Sequence, residues 1–388
     1  MKLKILTLIT LAPTLLFCQE TPFDTPMKMP NTYIQDFNPT PVTHETPAQV
    51  PQETPFKIHI ERVKKPEIKK VSVAIQKPQE HEKLKIAIII PSKIIGRYAT
   101  STTNAVFAYM LSKNRPFEIK TFDTQTQDKN NLAKALQDAQ KEGFHYAIAV
   151  LTKDGTDKLI NLNPQINVFI PTINKSEVSS SSAHLFFGGI DYKAQTDKLL
   201  KEAHAPLVIF KDASPITETI SDYAQSKYHG KNYTFSIEKS TNLKKQLKNN
   251  RLSNASFLTN TPVSKTGIIV SQITLYKVNE TNILSTQINY DPLILSMTQY
   301  NDRKNMIIAN SISKDNTVIT DTNLILNNDI TYDWINYATT VGVDYFYNRI
   351  TNEAREYPLA ITNNQIIYPI NLVQPSYSNF VTYSSSEK

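Results

Sequence analysis

Cysteine, glycine and tryptophan are scarce in this chain. Its 388 residues include one cysteine, Cys18, one tryptophan and eight glycines. A single cysteine excludes a disulfide within the chain and argues against a zinc–cysteine or redox centre. Phosphate-binding loops depend on glycine, so this composition argues against a nucleotide-dependent enzyme. Beyond residue 18 no run approaches the ~18 consecutive apolar residues of a membrane-spanning helix, so the sequence predicts no such helix there.

Sequence motifs for catalysis are missing as well. No Gly-x-Ser-x-Gly, Walker loop or dinucleotide fingerprint occurs, and the seven histidines lack metal-ligand spacing. Ser236-x-x-Lys239 and Lys265-Thr266-Gly267 match the outer motifs of penicillin-recognising enzymes. The Ser-x-Asn motif between them is absent and Ser236 falls in a predicted strand, so we interpret the match as coincidence. The sequence therefore predicts a protein that is not an enzyme and has no cofactor or metal.

The first 18 residues have the pattern of a signal peptide. Lys2 and Lys4 precede an apolar run over 5–17, which is too short to cross a bilayer. Leu15 to Cys18 is similar to a lipobox, except that Phe17 stands where that motif has a small residue. Two explanations stay open: Cys18 is acylated and anchors the mature protein to the outer membrane, or it is a small residue at a signal peptidase site.

Residues 19–83 form a predicted linker that is rich in proline. Ten prolines and no glycine lie between residues 19 and 85. Proline at this density favours disordered, extended polyproline II at ~3.1 Å per residue, so about 65 residues could reach ~200 Å when fully extended. The formal net charge is +7, and much of the basic excess lies in 57–85. That charge is typical of a solvated spacer, or of weak attraction to an acidic partner.

From residue 84 onward the pattern alternates between strands and helices, which indicates a parallel sheet flanked by helices. A hairpin is expected over 357–373, with its turn at Asn363-Asn364. Strands are predicted at 85–91, 117–122, 145–151, 166–170, 185–187, 207–210, 233–237, 255–258 and 305–310. Helices are predicted at 97–113, 128–142, 154–160, 191–203, 216–227, 242–249, 263–276 and 331–349.

Several segments resemble the type I periplasmic-binding-protein family. They are Ile86–Pro91 with the helix over 97–113, then Phe122-Asp123-Thr124, the strand over 144–150, and Phe169-Ile170-Pro171-Thr172. The resemblance spans about 84–350 and implies a two-lobed α/β fold. Leucine-type solute receptors have this fold, as does the carboxy-terminal domain of an outer-membrane lipoprotein that activates peptidoglycan synthases. We expect a first lobe over 84–185, a second lobe over 186–290, a return to the first lobe over 291–355, and a C-terminal hairpin and tail over 356–388.

In this fold a ligand sits between the lobes, at the carboxyl ends of the strands. Hydroxyl, amide and carboxylate groups at matching positions could hold a small polar molecule, or they could be ordinary polar residues of loops. The six candidates for this cleft are Ser92, Tyr98, Thr152, Asn174, Asp212 and Thr259.

The sequence favours a non-enzymatic periplasmic envelope protein that acts as a tethered scaffold or regulator and binds a protein partner, for example a peptidoglycan-synthesis assembly. Many of the 19 tyrosines lie late in the chain, where amphipathic aromatics suit a protein–protein surface, although core packing explains most of them. The alternative is a receptor for a small polar solute such as an amino acid or peptide. A nucleic-acid partner is not expected, because no basic stripe studded with aromatics occurs.

Overall fold

The computed structural model describes residues 83–237, 242–313 and 316–384. The predicted signal peptide, Cys18 and the predicted linker up to residue 82 lie outside these residues. Within the described ranges, none of the helices combines the length and apolar character that crossing a membrane requires.

The described strands form two sheets of seven strands each. Apolar residues dominate the central strands because both faces of a parallel sheet are covered by helices. The strands are β1 (Leu84–Ile90), β2 (Phe117–Asp123), β3 (Tyr146–Ala149), β4 (Asn167–Ile170), β5 (Leu185–Phe187), β6 (Leu207–Lys211), β7 (Asn232–Ser236), β8 (Ala255–Asn260), β9 (Glu280–Ser285), β10 (Met306–Asn310), β11 (Ile361–Thr362), β12 (Gln365–Ile366), β13 (Asn371–Pro375) and β14 (Phe380–Thr382).

Twelve α-helices lie between the strands of the described residues. They are α1 (Ser92–Ile95), α2 (Tyr98–Ser112), α3 (Lys129–Lys141), α4 (Lys153–Leu162), α5 (Tyr192–Leu200), α6 (Pro215–Lys227), α7 (Lys244–Leu247), α8 (Val263–Leu275), α9 (Leu293–Met297), α10 (Tyr300–Arg303), α11 (Thr317–Ile325) and α12 (Trp334–Thr351). Short 3₁₀ turns occur at Lys175–Glu177, Asn250–Leu252 and Gln287–Asn289.

The two sheets repeat one topology. The first has the order β2-β1-β3-β4-β5-β12-β11 and the second has β7-β6-β8-β9-β10-β13-β14. The first five strands of each order are parallel neighbours, and the last two form an antiparallel hairpin. The predicted two-lobed α/β fold with mostly parallel sheets is therefore confirmed.

The structure corrects the predicted course of the chain after residue 290. Strand β10 pairs with β9 in the second sheet, whereas the sequence predicts 291–355 as a return to the first lobe. The return to the first lobe comes with α11 and α12, which pack against α2. Strand β9 was not predicted, and without it the run over 305–310 had no identifiable partner in the second lobe.

The C-terminal region forms two hairpins, one on each sheet, where the sequence predicts one hairpin over 357–373. The turn at Asn363-Asn364 is confirmed: both residues have positive φ, at 50° and 62°, as a two-residue hairpin turn requires. Strand β13, however, pairs with β10 and β14 in the second sheet. The chain therefore passes between the lobes once more, through residues 367–370.

Helix α12 packs against the centre of the first sheet. Its residues from Asn336 to Asp344 are all buried. Gly342 faces the ring of Phe169, because a Cβ built there would lie 2.2 Å from a ring carbon. A residue without a side chain is what allows the helix to approach this strand so closely.

Candidate functional site

A cleft of about 920 Å³ lies between the two lobes, at the carboxyl ends of seven parallel strands. Residues that follow β1, β3, β4 and β5 line it from the first lobe, and residues that follow β6, β8 and β9 line it from the second. Lining residues include Ile94, Ile95, Tyr98, Thr152, Ile173, Ile190, Tyr192, Ile216, Thr217, Tyr223, Val263, Gln287, Ile288, Tyr290, Tyr332 and Trp334.

Two of the six predicted residues, Tyr98 and Thr152, line this cleft. Tyr98 begins α2, and its hydroxyl accepts a 3.3 Å hydrogen bond from Arg97 Nη2. Ser92 belongs to the same strand-to-helix connection but is not part of the lining. Its hydroxyl donates to Asp123 Oδ2 at 2.8 Å, a bond that joins the ends of β1 and β2.

Thr152 and Asn174 act locally as helix caps. Thr152 precedes α4, and its hydroxyl donates to Gln127 Oε1 at 2.8 Å. Asn174 is buried, accepts a bond from the backbone N–H of Ser176 and donates to the carbonyl of Gly189 at 3.2 Å. Side chains that satisfy their own loops in this way have little capacity left for a ligand.

Asp212 lies just behind the second-lobe wall of the cleft, outside the lining. Its carboxylate accepts hydrogen bonds from the Thr217 hydroxyl at 2.7 Å, the Ser214 N–H at 3.1 Å and Lys265 Nζ at 3.2 Å. Burial alone raises the pKa of Asp212, but these bonds outweigh it and lower the pKa to about 2. Asp212 thus stays ionised and holds the loop that precedes α6.

Thr259 is fully buried within β8 and donates to the carbonyl of Leu284 in the neighbouring strand at 3.2 Å. It is part of the sheet and not of the cleft. Lys265, from the Lys-Thr-Gly match, is the partner of Asp212 and also donates to the carbonyl of Ile237. Lys239, from the other motif, lies outside the described residues.

Aromatic residues that are not among the six predicted cleft residues form much of the lining. Tyr192 follows β5, Tyr223 and Tyr290 lie on the second lobe, and Tyr332 and Trp334 lie where the chain enters α12. Burial raises the pKa of Tyr192, so its phenol stays neutral at physiological pH. Tyr192 lies at the start of the predicted helix that follows the strand over 185–187, so its position was a usable signal; Trp334 had no such signal.

Arg97 stands at the entrance to α2, between the main cleft and a second chamber of about 590 Å³. The hydrogen bond to Tyr98 is the largest cause of the raised pKa of Arg97, and the charges of Asp333 and Asp291 add to it. Asp333 is the N-cap of α12, with Oδ1 accepting from the N–H of Asn336 at 3.1 Å. Burial raises the pKa of Asp333 above its ordinary value.

Two nitrogen donors beside the cleft have no hydrogen-bond acceptor among the described residues. They are Nε1 of Trp334 and Nε2 of Gln287. Gln287 is 5% exposed, and its Oε1 accepts from the N–H of Ser311 at 2.7 Å, which fixes the side chain and leaves the amide nitrogen unpaired. Buried donors of this kind normally bond to protein, water or a ligand.

The described residues show no group of three or more histidine, cysteine, aspartate or glutamate side chains that could hold a metal ion. A different kind of surface lies outside the cleft. Five apolar side chains are exposed on α2 and α11, and Ile325 is 82% exposed. We call this surface the α2–α11 face; its residues are Phe107, Leu111, Val318, Leu324 and Ile325.

These features define the type I periplasmic-binding-protein fold, and the resemblance noted in the sequence is confirmed at the level of the fold. The chain is similar to the leucine-binding protein LivK of Thermotoga maritima, with 12% identity, 78% of this chain and 98% of that chain covered, and a TM-score of 0.56. It is also similar to the C-domain of LpoA from Haemophilus influenzae, a regulator of PBP1A, with 10% identity, 77% and 100% covered, and a TM-score of 0.53.

A third similar structure is a solute-binding protein of an ABC transporter from R. palustris in complex with 4-hydroxybenzoate. It has 11% identity, 78% of this chain and 96% of that chain are covered, and the TM-score is 0.56. No protein-family model matches the sequence, and no curated protein matches it significantly. At such low identity these likenesses establish the fold alone.

Proposed function

We propose that this chain is a non-enzymatic periplasmic binding protein whose interlobe cleft takes a small organic ligand with an apolar or aromatic body. The observation that carries the proposal is the meeting of seven strand ends from two sheets at one cleft of about 920 Å³. Ligands of open α/β sheets bind at such carboxyl ends. The volume lies within the range of small-molecule sites.

The residues that line the cleft favour a ligand with an apolar or aromatic body, and not a strongly polar ligand. Ile94 and Ile216 are exposed at the cleft, and Tyr192 and Trp334 add aromatic surface. Four of the six polar residues predicted from sequence are not part of the lining, and Thr152 bonds within its own lobe. Among similar structures, the R. palustris protein holds 4-hydroxybenzoate, a ligand of this general kind.

Trp334 provides a direct test, because it is the single tryptophan of the chain and it lines the cleft. We expect a ligand from a panel of aromatic carboxylates, branched-chain amino acids and short peptides to change its fluorescence. The same ligand should raise the melting temperature of the full-length protein by several degrees, since binding to the native state stabilises by mass action.

Two matched variants locate the binding. Ile94→Glu places a charge at an exposed position of the cleft and should abolish both signals, whereas Leu275→Glu, at an exposed position on α8 outside the lining, should keep them. If neither the panel nor a small-molecule extract of the envelope moves either signal, the cleft is not a solute site and the proposal is wrong.

A second candidate is a tethered scaffold or regulator that binds an envelope protein partner, and the α2–α11 face favours it. The two helices run antiparallel: Asn104 bonds to the carbonyl of Leu326 at one end, while Lys113 and Asn316 both bond to Glu356 at the other. The exposed apolar side chains thus belong to two neighbouring helices. The likeness to the LpoA C-domain agrees with a partner-binding role.

Under this second proposal, residues 19–83 form an extended linker that lets the folded part bind a partner at a distance from an anchor at Cys18. Crosslinked pull-down of the full chain should capture an envelope protein, and Leu111→Asp with Ile325→Asp should lose it. Leu275→Asp, equally apolar and exposed but on α8, is the control. A capture that persists in the double variant would contradict a role for the α2–α11 face.

A further inference from the structure

The smaller chamber beside the cleft has a composition of its own. Its volume is about 590 Å³, and it shares Arg97, Tyr98, Asp291, Tyr332 and Asp333 with the main cleft. The remaining lining residues come from α2, from the loop that leads to α12, from Pro292 and from Asn336 in the first turn of α12. The chamber is therefore continuous with the cleft, which places it within reach of a ligand bound there.

Negative charge exceeds positive charge in this chamber. Three carboxylates line it, from Asp291, Asp329 and Asp333, against the one guanidinium of Arg97. Each carboxylate accepts a hydrogen bond from a backbone N–H at its Oδ1. The donor is Leu293 for Asp291 at 2.8 Å, Thr331 for Asp329 at 2.6 Å, and Asn336 for Asp333 at 3.1 Å. Among the described residues, no side chain donates a hydrogen bond to these three carboxylates, although the backbone N–H of Ile335 adds a second bond to the carboxylate of Asp333.

A neutral acceptor adds a second, independent observation. Asn336 lines the chamber, is 3% exposed, and its Oδ1 has no hydrogen-bond donor among the described residues. Its Nδ2 donates to the carbonyl of Asp329 at 2.9 Å, which sets the orientation of the amide and leaves Oδ1 as the unpaired atom. A buried carbonyl oxygen without a donor is unfavourable, and a donor from a bound molecule would relieve it.

Building on the proposed function, we propose that this chamber binds the ammonium group of an organic amine whose apolar body lies in the main cleft. An ammonium group carries one positive charge and three N–H donors. The charge matches the three carboxylates of the chamber, and the donors match the carboxylate oxygens and the unpaired Oδ1 of Asn336. A bare metal ion suits the chamber less well, because Arg97 lies among the carboxylates and the described residues show no metal-binding group.

The test compares one body with three head groups. The full-length protein is titrated with 2-phenylethylamine, 2-phenylethanol and 3-phenylpropanoate, and Trp334 fluorescence and calorimetry report binding. We expect the amine to bind at least tenfold more tightly than the alcohol, and the acid to bind most weakly. The preference for the amine should fall as salt is added, because ions screen charge attraction.

Asp291→Asn and Asp329→Asn should each weaken amine binding about tenfold without changing the affinity for the alcohol. Asparagine keeps an oxygen for the backbone N–H but removes the charge, so the melting temperature should stay close to that of the parent. The matched control is Asp321→Asn, an exposed carboxylate of α11 outside the chamber, which should bind the amine as the parent does.

Equal binding of amine and alcohol, or an unchanged affinity in both chamber variants, would overturn this inference. So would a loss of the same size in Asp321→Asn, because binding would then depend on the general surface charge. If the acid or the alcohol binds best, the cleft remains a ligand site and only the assignment of an ammonium to the chamber fails. If none of the three binds, the amine assignment also fails, and the ligand panel above decides the cleft.

Discussion

At the scale of single residues, hydrogen bonds within loops decide which polar groups are available to a ligand. Ser92, Thr152 and Asp212 were predicted as cleft residues because they follow strands. In the structure each forms a hydrogen bond within its own lobe: Ser92 with Asp123, Thr152 with Gln127, and Asp212 with Thr217. Short polar side chains next to helix starts tend to cap those helices, so their proximity to a cleft does not make them ligands.

Asp212 gives the first prediction, on pH. Its folded pKa of about 2 is below the ~3.9 of an unfolded aspartate, so its stabilising effect is complete above about pH 4 and is lost as the pH falls towards 2. Asp212→Asn should lower the free energy of unfolding by about 2 kcal/mol at pH 7. Urea unfolding at pH 7 and pH 2.5 measures this. A difference between parent and variant that does not shrink in acid would contradict the assignment.

At the scale of elements, α12 depends on one buried carboxylate. Asp344 is fully buried and accepts bonds from the Tyr109 hydroxyl at 2.8 Å, Arg355 Nε at 3.2 Å and the N–H of Glu356 at 2.8 Å. These bonds join α2, α12 and the segment that follows α12. The carboxylate thus fixes the direction in which the chain leaves the helix towards the two C-terminal hairpins.

The second prediction removes this carboxylate. Asp344→Ala leaves the Arg355 charge and several donors without a partner, so the free energy of unfolding should fall by about 3–5 kcal/mol. Chemical denaturation measures the loss. Asp321→Ala, at an exposed position on α11, should change it by less than about 0.5 kcal/mol. A loss below about 1 kcal/mol in Asp344→Ala would mean that the buried network is not what holds this segment.

At the scale of the whole molecule, the hydrophobic clusters that pack on the two repeated sheets stabilise the described part of the protein. The three hydrophobic clusters of the described part consist of residues from Leu84 to Tyr383. The chain passes between the lobes after β5, after β10 and after β12, so neither sheet is complete without a segment from the C-terminal region.

The third prediction concerns the segment before β1. Because the sequence predicts a proline-rich spacer over 19–83, deleting these residues should leave the melting temperature unchanged within about 1 °C. Deleting 371–388 removes β13 and β14 from the second sheet and should lower the melting temperature strongly. Differential scanning calorimetry of the parent and the two deletions measures this. A clear drop on removal of 19–83 would show that these residues stabilise the body, and the argument that they act as a tether would fail.

Local sequence patterns determined the fold class, most strands and helices, and the turn at Asn363-Asn364. Alternation of apolar strands with amphipathic helices is a local signal, and two asparagines in succession are a local turn signal, so neither needs knowledge of distant contacts. The same patterns located the edge at which the cleft lies, since parallel strands bring their carboxyl ends together.

The tertiary structure alone decided the sheet to which β10 belongs, the division of the C-terminal region into two hairpins, and the residues that line the cleft. Sheet membership is set by hydrogen bonds to strands far away in sequence: β10 pairs with β13, more than 60 residues later. Cleft lining is set in the same way, because Arg97, Asp291 and Trp334 come together only when distant segments pack. Long-range packing leaves no period or motif in the sequence, and for that reason these features could not be read from it.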